Sequence, residues 1–176
     1  PYIMAKNFKT GIVGCGRIGS LLEEDSLRGK PCTHAGGFSF LPGTKLSAGC
    51  DINPVRLQKF GKKWDVTRLY SNYRDMLEKE SLDIICIATW TSLHASMTLE
   101  ALQAGVKGIF CEKPIATRLD QAQEMVRLCQ KKNIPLIINH ERRWDAHYQQ
   151  ARKLIQSGKI GEIKTLIGNA LSWKPG

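Results

Sequence analysis

Apolar positions along this chain follow two alternating rhythms. Short apolar runs at Phe8 to Val13, Lys45 to Cys50, Asp83 to Ala88, Val106 to Cys111 and Ile134 to Asn139 read as strands. The near-continuous ones, Asp83 to Ala88 above all, are the mark of strands covered on both faces. Between them the period lengthens to that of a helix. Arg17 to Glu23 reads as a helix start. Val55 to Lys63 follows Asn53 and Pro54, a good cap and a good first helical residue, and sets Leu57 and Phe60 on one side. Ser71 and Asp75 bracket a helical turn before Met76 and Leu77. Ser92 to Ala104 carries Leu93, Met97, Ala101 and Leu102 on one stripe and stops at Gly105. A helix capped by Thr117 places Ala122, Met125, Val126 and Cys129 at i, i+3, i+4, i+7 spacing. Tyr148, Ala151, Leu154 and Ile155 mark another that ends at Gly158, and Ile163 to Leu171 reads as one more strand.

Strands alternating with helices are βαβ units, so the expected fold class is α/β, a doubly wound parallel sheet with helices on both faces. Ligands of such sheets bind beyond the carboxyl ends of the strands. Chemistry-bearing residues should then stand just after each apolar run, and here they do. One segment breaks the rhythm. Glu24 to Gly43 is rich in Gly, Pro and Ser and long for its place. It is either a lip over the cleft or an inserted surface loop, and the tolerance of surface loops favours the insertion.

Gly14, Gly16 and Gly19 form a G-x-G-x-x-G with Cys15, Arg17 and Ile18 between them, after a strand and before a helix. In a dinucleotide site the first glycine permits the tight turn, the second lets the backbone approach a pyrophosphate, and the third lets helix and strand pack closely. An ordinary glycine-rich turn is the alternative. Asp51 closes the second strand, where a carboxylate would accept from ribose hydroxyls. It stands thirty-two residues beyond Gly19, against a usual spacing of about 20, and the long segment accounts for the difference. A carboxylate there repels a 2′-phosphate, so NAD is favoured over NADP, although Arg56 is near enough to reach a phosphate. The alternative is that Asp51 caps the turn at Asn53.

Thr89, Trp90 and Thr91 follow the third strand, with His94 a helical turn on; Trp90 would stack on a cofactor or pack under a loop. Glu112, Lys113 and Pro114 follow the next strand. Lys113 can donate to a ribose or substrate hydroxyl and, with a lowered pKa, relay a proton. Read alone, Glu112 and Lys113 would be a surface pair.

The 176 residues carry 42% hydrophobic and 24% charged positions and a formal charge of +10. The Lys and Arg are scattered rather than gathered in a stripe with aromatics, which argues against nucleic acid. No run reaches the roughly 18 to 20 apolar residues of a membrane span. Residues 1 to 9 lack the apolar core of a secretory signal. Six cysteines, without a C-x-x-C pair, read as reduced thiols, five of them in apolar segments, rather than as disulfides or metal ligands. A cytoplasmic location follows.

Taken in order, the glycine fingerprint, the Asp-ended strand, IATWTSLHASMTLEALQAG, FCEKPIA and ERRWDAHY resemble one family, glucose–fructose oxidoreductase / inositol dehydrogenase (Gfo/Idh/MocA). The resemblance runs from Thr10 to Gly168, and LIQSGKIGEIKTLIG is similar to that family's passage into its second domain. It implies a Rossmann domain over residues 1–140. From 141 to 176 it implies the beginning of a mixed-sheet α+β domain that holds substrate and builds a homo-oligomer. It implies an NAD-dependent enzyme moving hydride between the nicotinamide and a secondary alcohol or ketone of a sugar, cyclitol or related polyol. By the same resemblance Gly14, Gly16, Arg17, Ile18 and Gly19 match the pyrophosphate turn and Asp51 the ribose acid. Thr89, Trp90 and His94 match the loop beside the nicotinamide ribose. Glu112 and Lys113 match the EKP motif, with Lys113 approaching both ribose and substrate, and Arg143 and Trp144 match a late contact near the nicotinamide.

Two departures stand out. Many relatives have Pro-Asn at the positions of Trp90 and Thr91. The family's acid–base aspartate and histidine would lie beyond Gly176, since His140 and His147 fall too early. The chain by itself is therefore expected to bind NAD and to turn over little substrate; the competing reading is a non-catalytic NAD-binding module or sensor.

Overall fold

The computed structural model describes residues 7–169. Six strands, β1 (Phe8–Val13), β2 (Thr44–Cys50), β3 (Arg68–Tyr70), β4 (Ile84–Ile87), β5 (Gly108–Cys111) and β6 (Leu136–Ile138), form one sheet in the order β3-β2-β1-β4-β5-β6. Every neighbouring pair is parallel. Side chains of a strand alternate between faces, and both faces here are covered. Ile12 and Cys86 join Leu57 and Phe60 of α2 (Pro54–Trp64) and Ala35 of α1 (His34–Phe40) in one core cluster. Val13, Ile85 and Ile87 point the other way. They pack with Met76 of α3 (Tyr73–Lys79), Met97, Ala101 and Leu102 of α4 (Thr91–Gln103), and Cys129 of α5 (Leu119–Lys131). The fold is a doubly wound, Rossmann-type sheet.

Local chemistry sets the element ends. Asn53 caps α2 by accepting from the N–H of Arg56, with Pro54 in the first turn. Asn72 rather than Ser71 caps α3, accepting from Arg74. Gly105, at φ +82°, ends the run of α4. The helix after β5 departs from expectation. Arg118 is its N-cap residue, and the hydroxyl of Thr117 donates instead to Gln121, at 3.3 Å. β3 escaped the sequence reading because three residues ending a turn carry no alternation; pairing with β2 makes it a strand.

The largest departure is in the first crossover. In place of a helix over Arg17 to Glu23 there is one turn at 17–20, then a short 3-10 helix, Leu21–Glu24. The chain then loops out and returns as α1. The N–H of His34 donates to the carbonyl of Ile18 (3.0 Å) and that of Ala35 to Gly19 (3.0 Å). Those carbonyls would accept from residues 22 and 23 in an unbroken helix. The crossover helix is thus split, with the twelve residues 22–33 spliced in after its first turn. Twelve residues are also the excess in the spacing from Gly19 to Asp51. The inserted residues are thus 22–33, and α1, in the second half of the long segment, is the crossover helix resumed.

The chain divides after Asn139 into two compact units. The second holds a 3-10 turn, Glu141–Trp144, and α6 (Ala146–Gln156), capped by Asp145, whose Oδ1 accepts from His147 and Tyr148. Gly158, at φ +70°, follows it. The strand expected from Ile163 is not formed over 163–169, and Ala170 and Leu171 lie outside the described residues. A strand exists by pairing, and among the described residues no other segment pairs with 163–169.

Candidate functional site

The carboxyl ends of five strands form one row. Residues just past each strand keep the sheet's register. Asp51 donates its N–H to Tyr70, Gly14 to Cys50, Ala88 to Val13, Glu112 to Ile87 and Asn139 to Cys111, all at 2.8 to 3.1 Å. The strand order reverses between β1 and β4, so the crevice of a doubly wound sheet opens between Gly14 and Ala88.

The three fingerprint glycines answer to different constraints. A Cβ on Gly14, at φ +95°, would stand 2.3 Å from the carbonyl oxygen of Ala88, and one on Gly19 would stand 2.0 Å from that of Gly14. Both are required by the protein's own backbone. A Cβ on Gly16 would meet nothing within 4 Å. Nothing in the fold forbids a side chain at 16. Arg17 beside it is exposed, and Ile18 lends its carbonyl to α1.

Asp51 is buried and closely held. Its Oδ2 accepts from the N–H of Cys15 in the glycine turn, at 2.9 Å, and from Arg56 Nε, at 3.1 Å. Its Oδ1 accepts from the N–H of Asn53, at 2.8 Å, and from Arg56 Nη2, at 2.9 Å. Each carboxylate oxygen has room for two such bonds, so all four places are taken. The bond to Asn53 means that Asp51 does cap that turn; it also ties the second strand to the glycine turn. Only Arg56, with a side chain 40% exposed, is placed to swing away. Ile52, next in sequence, is 85% exposed. An apolar residue at a strand end reads as core, which is why its exposure is not legible in the sequence.

Thr89 is half-buried, its hydroxyl 3.5 Å from the sulfur of Met97, and Trp90 is 82% exposed at the start of α4. His94 is fully buried. Its Nδ1 lies 2.9 Å from the carbonyl of Pro114 and its Nε2 3.2 Å from that of Thr89. A neutral imidazole donates from one nitrogen only, and the shorter contact is the one to Pro114, so His94 ties α4 to the β5 loop.

Glu112 is buried as well. Its Oε1 receives His34 Nε2 and Asn139 Nδ2, both at 2.7 Å, and its Oε2 accepts from the N–H of Lys113 at 3.2 Å. Burial works to raise its pKa; the bonds from His34, Asn139 and Lys113 outweigh it and hold the carboxyl below its ordinary value. Lys113 itself is exposed beside this carboxylate. His34 and Asn139 were not singled out in the sequence, because neither stands in a motif. Arg143 and Trp144 belong to the second unit, on its exposed 3-10 turn.

The sheet order, the glycine turn at the switch point and the acid ending β2 together define a dinucleotide-binding α/β domain. The comparisons agree. Residues 8–140 match the family described as an oxidoreductase family with an NAD-binding Rossmann fold, and the chain belongs to that family. It is 34% identical over 158 residues to the oxidoreductase YrbE of Bacillus subtilis, and 32% identical over 156 residues to D-apiose dehydrogenase of Paraburkholderia graminis. These matches cover 90% and 89% of this chain but only 42% and 38% of the relatives, so the chain spans well under half their length. Among solved structures it is similar to scyllo-inositol dehydrogenase of Lactobacillus casei with bound NAD(H) and scyllo-inositol. The TM-score is 0.77 at 28% identity, covering 89% of this chain and 43% of that one.

Proposed function

We propose that this chain supplies the NAD site of a dehydrogenase acting on a secondary alcohol of a sugar, cyclitol or related polyol. One observation carries the site. Gly16 is a glycine that the fold does not need, in a turn whose other two glycines it does need. Space kept open outside the protein surface points to a ligand that must approach the backbone, as a pyrophosphate does. The residues present fit NAD. The turn at 14–19 would take the pyrophosphate, Asp51 the adenosine ribose once Arg56 releases it, and exposed Ile52 would lie under the adenine. Thr89 and Trp90 would flank the nicotinamide end, and Arg143 and Trp144 would add the late contact that the resemblance implies. Held there, NAD would supply the acceptor or donor of the hydride. Lys113 would donate a hydrogen bond to the ribose or to the reacting hydroxyl and help hold its proton. Its neighbour Glu112 has three acceptor places already engaged within the protein, so its part is to hold the loop. His94, similarly, would act through Pro114.

The substrate class is supported by relatives named for inositol and apiose. Assembly as a homo-oligomer would use the region from His140 on, where Tyr148, Leu154, Ile155 and Ile160 are exposed. A cytoplasmic setting is supported by Cys15, Cys50, Cys86, Cys111 and Cys129, buried as free thiols.

Gly16→Val tests the reading. It should abolish NAD binding, a loss of about 100-fold or more, with a melting temperature within about 2 °C of the parent. Gly19→Ala should instead destabilise the fold by roughly 2 kcal/mol or more, because the new atom meets backbone. Calorimetric NAD titration and thermal melts separate the two. Unchanged NAD affinity in Gly16→Val would refute the assignment.

A further inference from the structure

The bond between His34 and Glu112 joins residues 78 positions apart and lies beside the proposed catalytic lysine. His34 opens α1, the half of the crossover that resumes after the insertion. Its N–H is bonded to Ile18 in the glycine turn, and its ring stands edge-on to Phe110, with centroids 5.1 Å apart. It is 8% exposed, and Glu112 is 7% exposed. A buried carboxylate can only accept, so His34 Nε2 is the donor of this bond. An apolar side chain would fill the space against Phe110 equally well, but it would leave the carboxylate short of a partner.

We propose that His34 is a positioning residue for Lys113: it holds the Glu112 carboxylate in the one place from which that group can grip the lysine backbone. The inference rests on the dehydrogenase reading above and deepens it. The chain of contacts is short. His34 and Asn139 converge on Oε1, Oε2 takes the N–H of Lys113, and His94 fixes the carbonyl of Pro114 on the far side. The lysine is thereby gripped before and after its own Cα, while its side chain stays exposed. Because α1 hangs from Ile18, the same helix that completes the glycine turn also carries the donor that sets the lysine. A structural histidine packed only for volume would not need its Nε2 at 2.7 Å from a carboxylate that two further groups already engage.

The test compares His34→Gln with His34→Asn in the full-length protein. The amide nitrogen of Gln reaches the place of Nε2, and that of Asn stops short at the place of Nδ1. The first readout is the rate at which acetic anhydride labels Lys113, measured by peptide mass spectrometry against Lys62 as an exposed reference. The second is turnover, with myo-inositol as probe and NAD saturating. Asn should change the Lys113 labelling ratio by about threefold or more and lower kcat about tenfold, with KM within about twofold. Gln should stay within about twofold of the parent in both. Equal behaviour of the two variants, with both folded by thermal melt, overturns the proposal. His34→Phe, which keeps a ring against Phe110 but has no donor, takes the place of Asn if that variant does not fold. Should the parent itself leave myo-inositol untouched, that substrate is at fault, and the labelling ratio still decides the role of His34.

Discussion

Asp51 shows how one side chain serves fold and ligand at once. With Arg56 across it, all of its acceptor capacity is spent inside the protein, yet two of the four bonds come from a side chain that can leave. Arg56→Ala should therefore keep or modestly improve NAD affinity, and weaken NADP by about tenfold, since the cation paired with that acid is gone. Asp51→Ala should do more harm. It strips the N–H groups of Cys15 and Asn53 of their partner and costs roughly 1–3 kcal/mol of stability besides lowering the preference for NAD. Ratios of NAD to NADP dissociation constants check both variants; an unchanged ratio in Asp51→Ala would clear the residue of the ribose role. The thiols make a second residue-scale case. Burial raises Cys50 and Cys111 to about 12 and lifts Cys15 and Cys86 well above the usual thiol range. In the folded chain a disulfide reagent should titrate Cys32 alone of the six, and all six in urea.

Among the elements, the split crossover offers the sharpest prediction. Joining residue 21 directly to residue 34 would place His34 and Ala35 four residues after Ile18 and Gly19, the spacing at which they already bond. The inserted part is held largely by its own contacts. Glu23 accepts from the N–H of Cys32 and the hydroxyl of Thr33, and Lys30 donates to the carbonyls of Leu22 and Asp25. Deleting residues 22–33 should thus leave NAD affinity within about threefold and the melting temperature within about 5 °C, because a shorter loop costs less entropy to close. A tenfold or greater loss of NAD binding would show instead that the segment is a lip over the cofactor.

For the molecule as a whole, acid is the informative stress. Glu112 is held below its ordinary value of 4.5 by bonds that outweigh its burial. Glu23 is likewise lowered, by Thr33 and Cys32 against burial, and Glu100 chiefly by Arg74. A carboxyl whose pKa is lower folded than unfolded adds stability above the unfolded value and loses it as pH falls through the folded one. Urea midpoints should accordingly hold steady down to about pH 5 and fall below about 4.5. In His34→Asn the fall should begin at higher pH, since Glu112 has lost a donor; superimposable profiles would mean that His34 does not stabilise the carboxylate. No described helix is long and apolar enough to cross a membrane, and the charge of +10 is carried by exposed side chains such as Lys62, Arg68 and Arg118.

What the sequence determined by itself rests on near neighbours. The alternation that makes strands and helices, the glycines at 14, 16 and 19, the cap at Asn53, and the acid and the lysine that follow their strands are all written within a few residues of one another. Even the length of the insertion could be counted from the gap between Gly19 and Asp51. Where that insertion interrupts the helix could not, because the rejoining is a bond between Ile18 and His34. Tertiary structure alone decided that Asp51 grips the turn at Cys15 while Arg56 covers it, and that His34 and Asn139 meet on Glu112. Such contacts arise when parallel strands bring distant segments to one edge, and no local spacing records which side chains will face each other there.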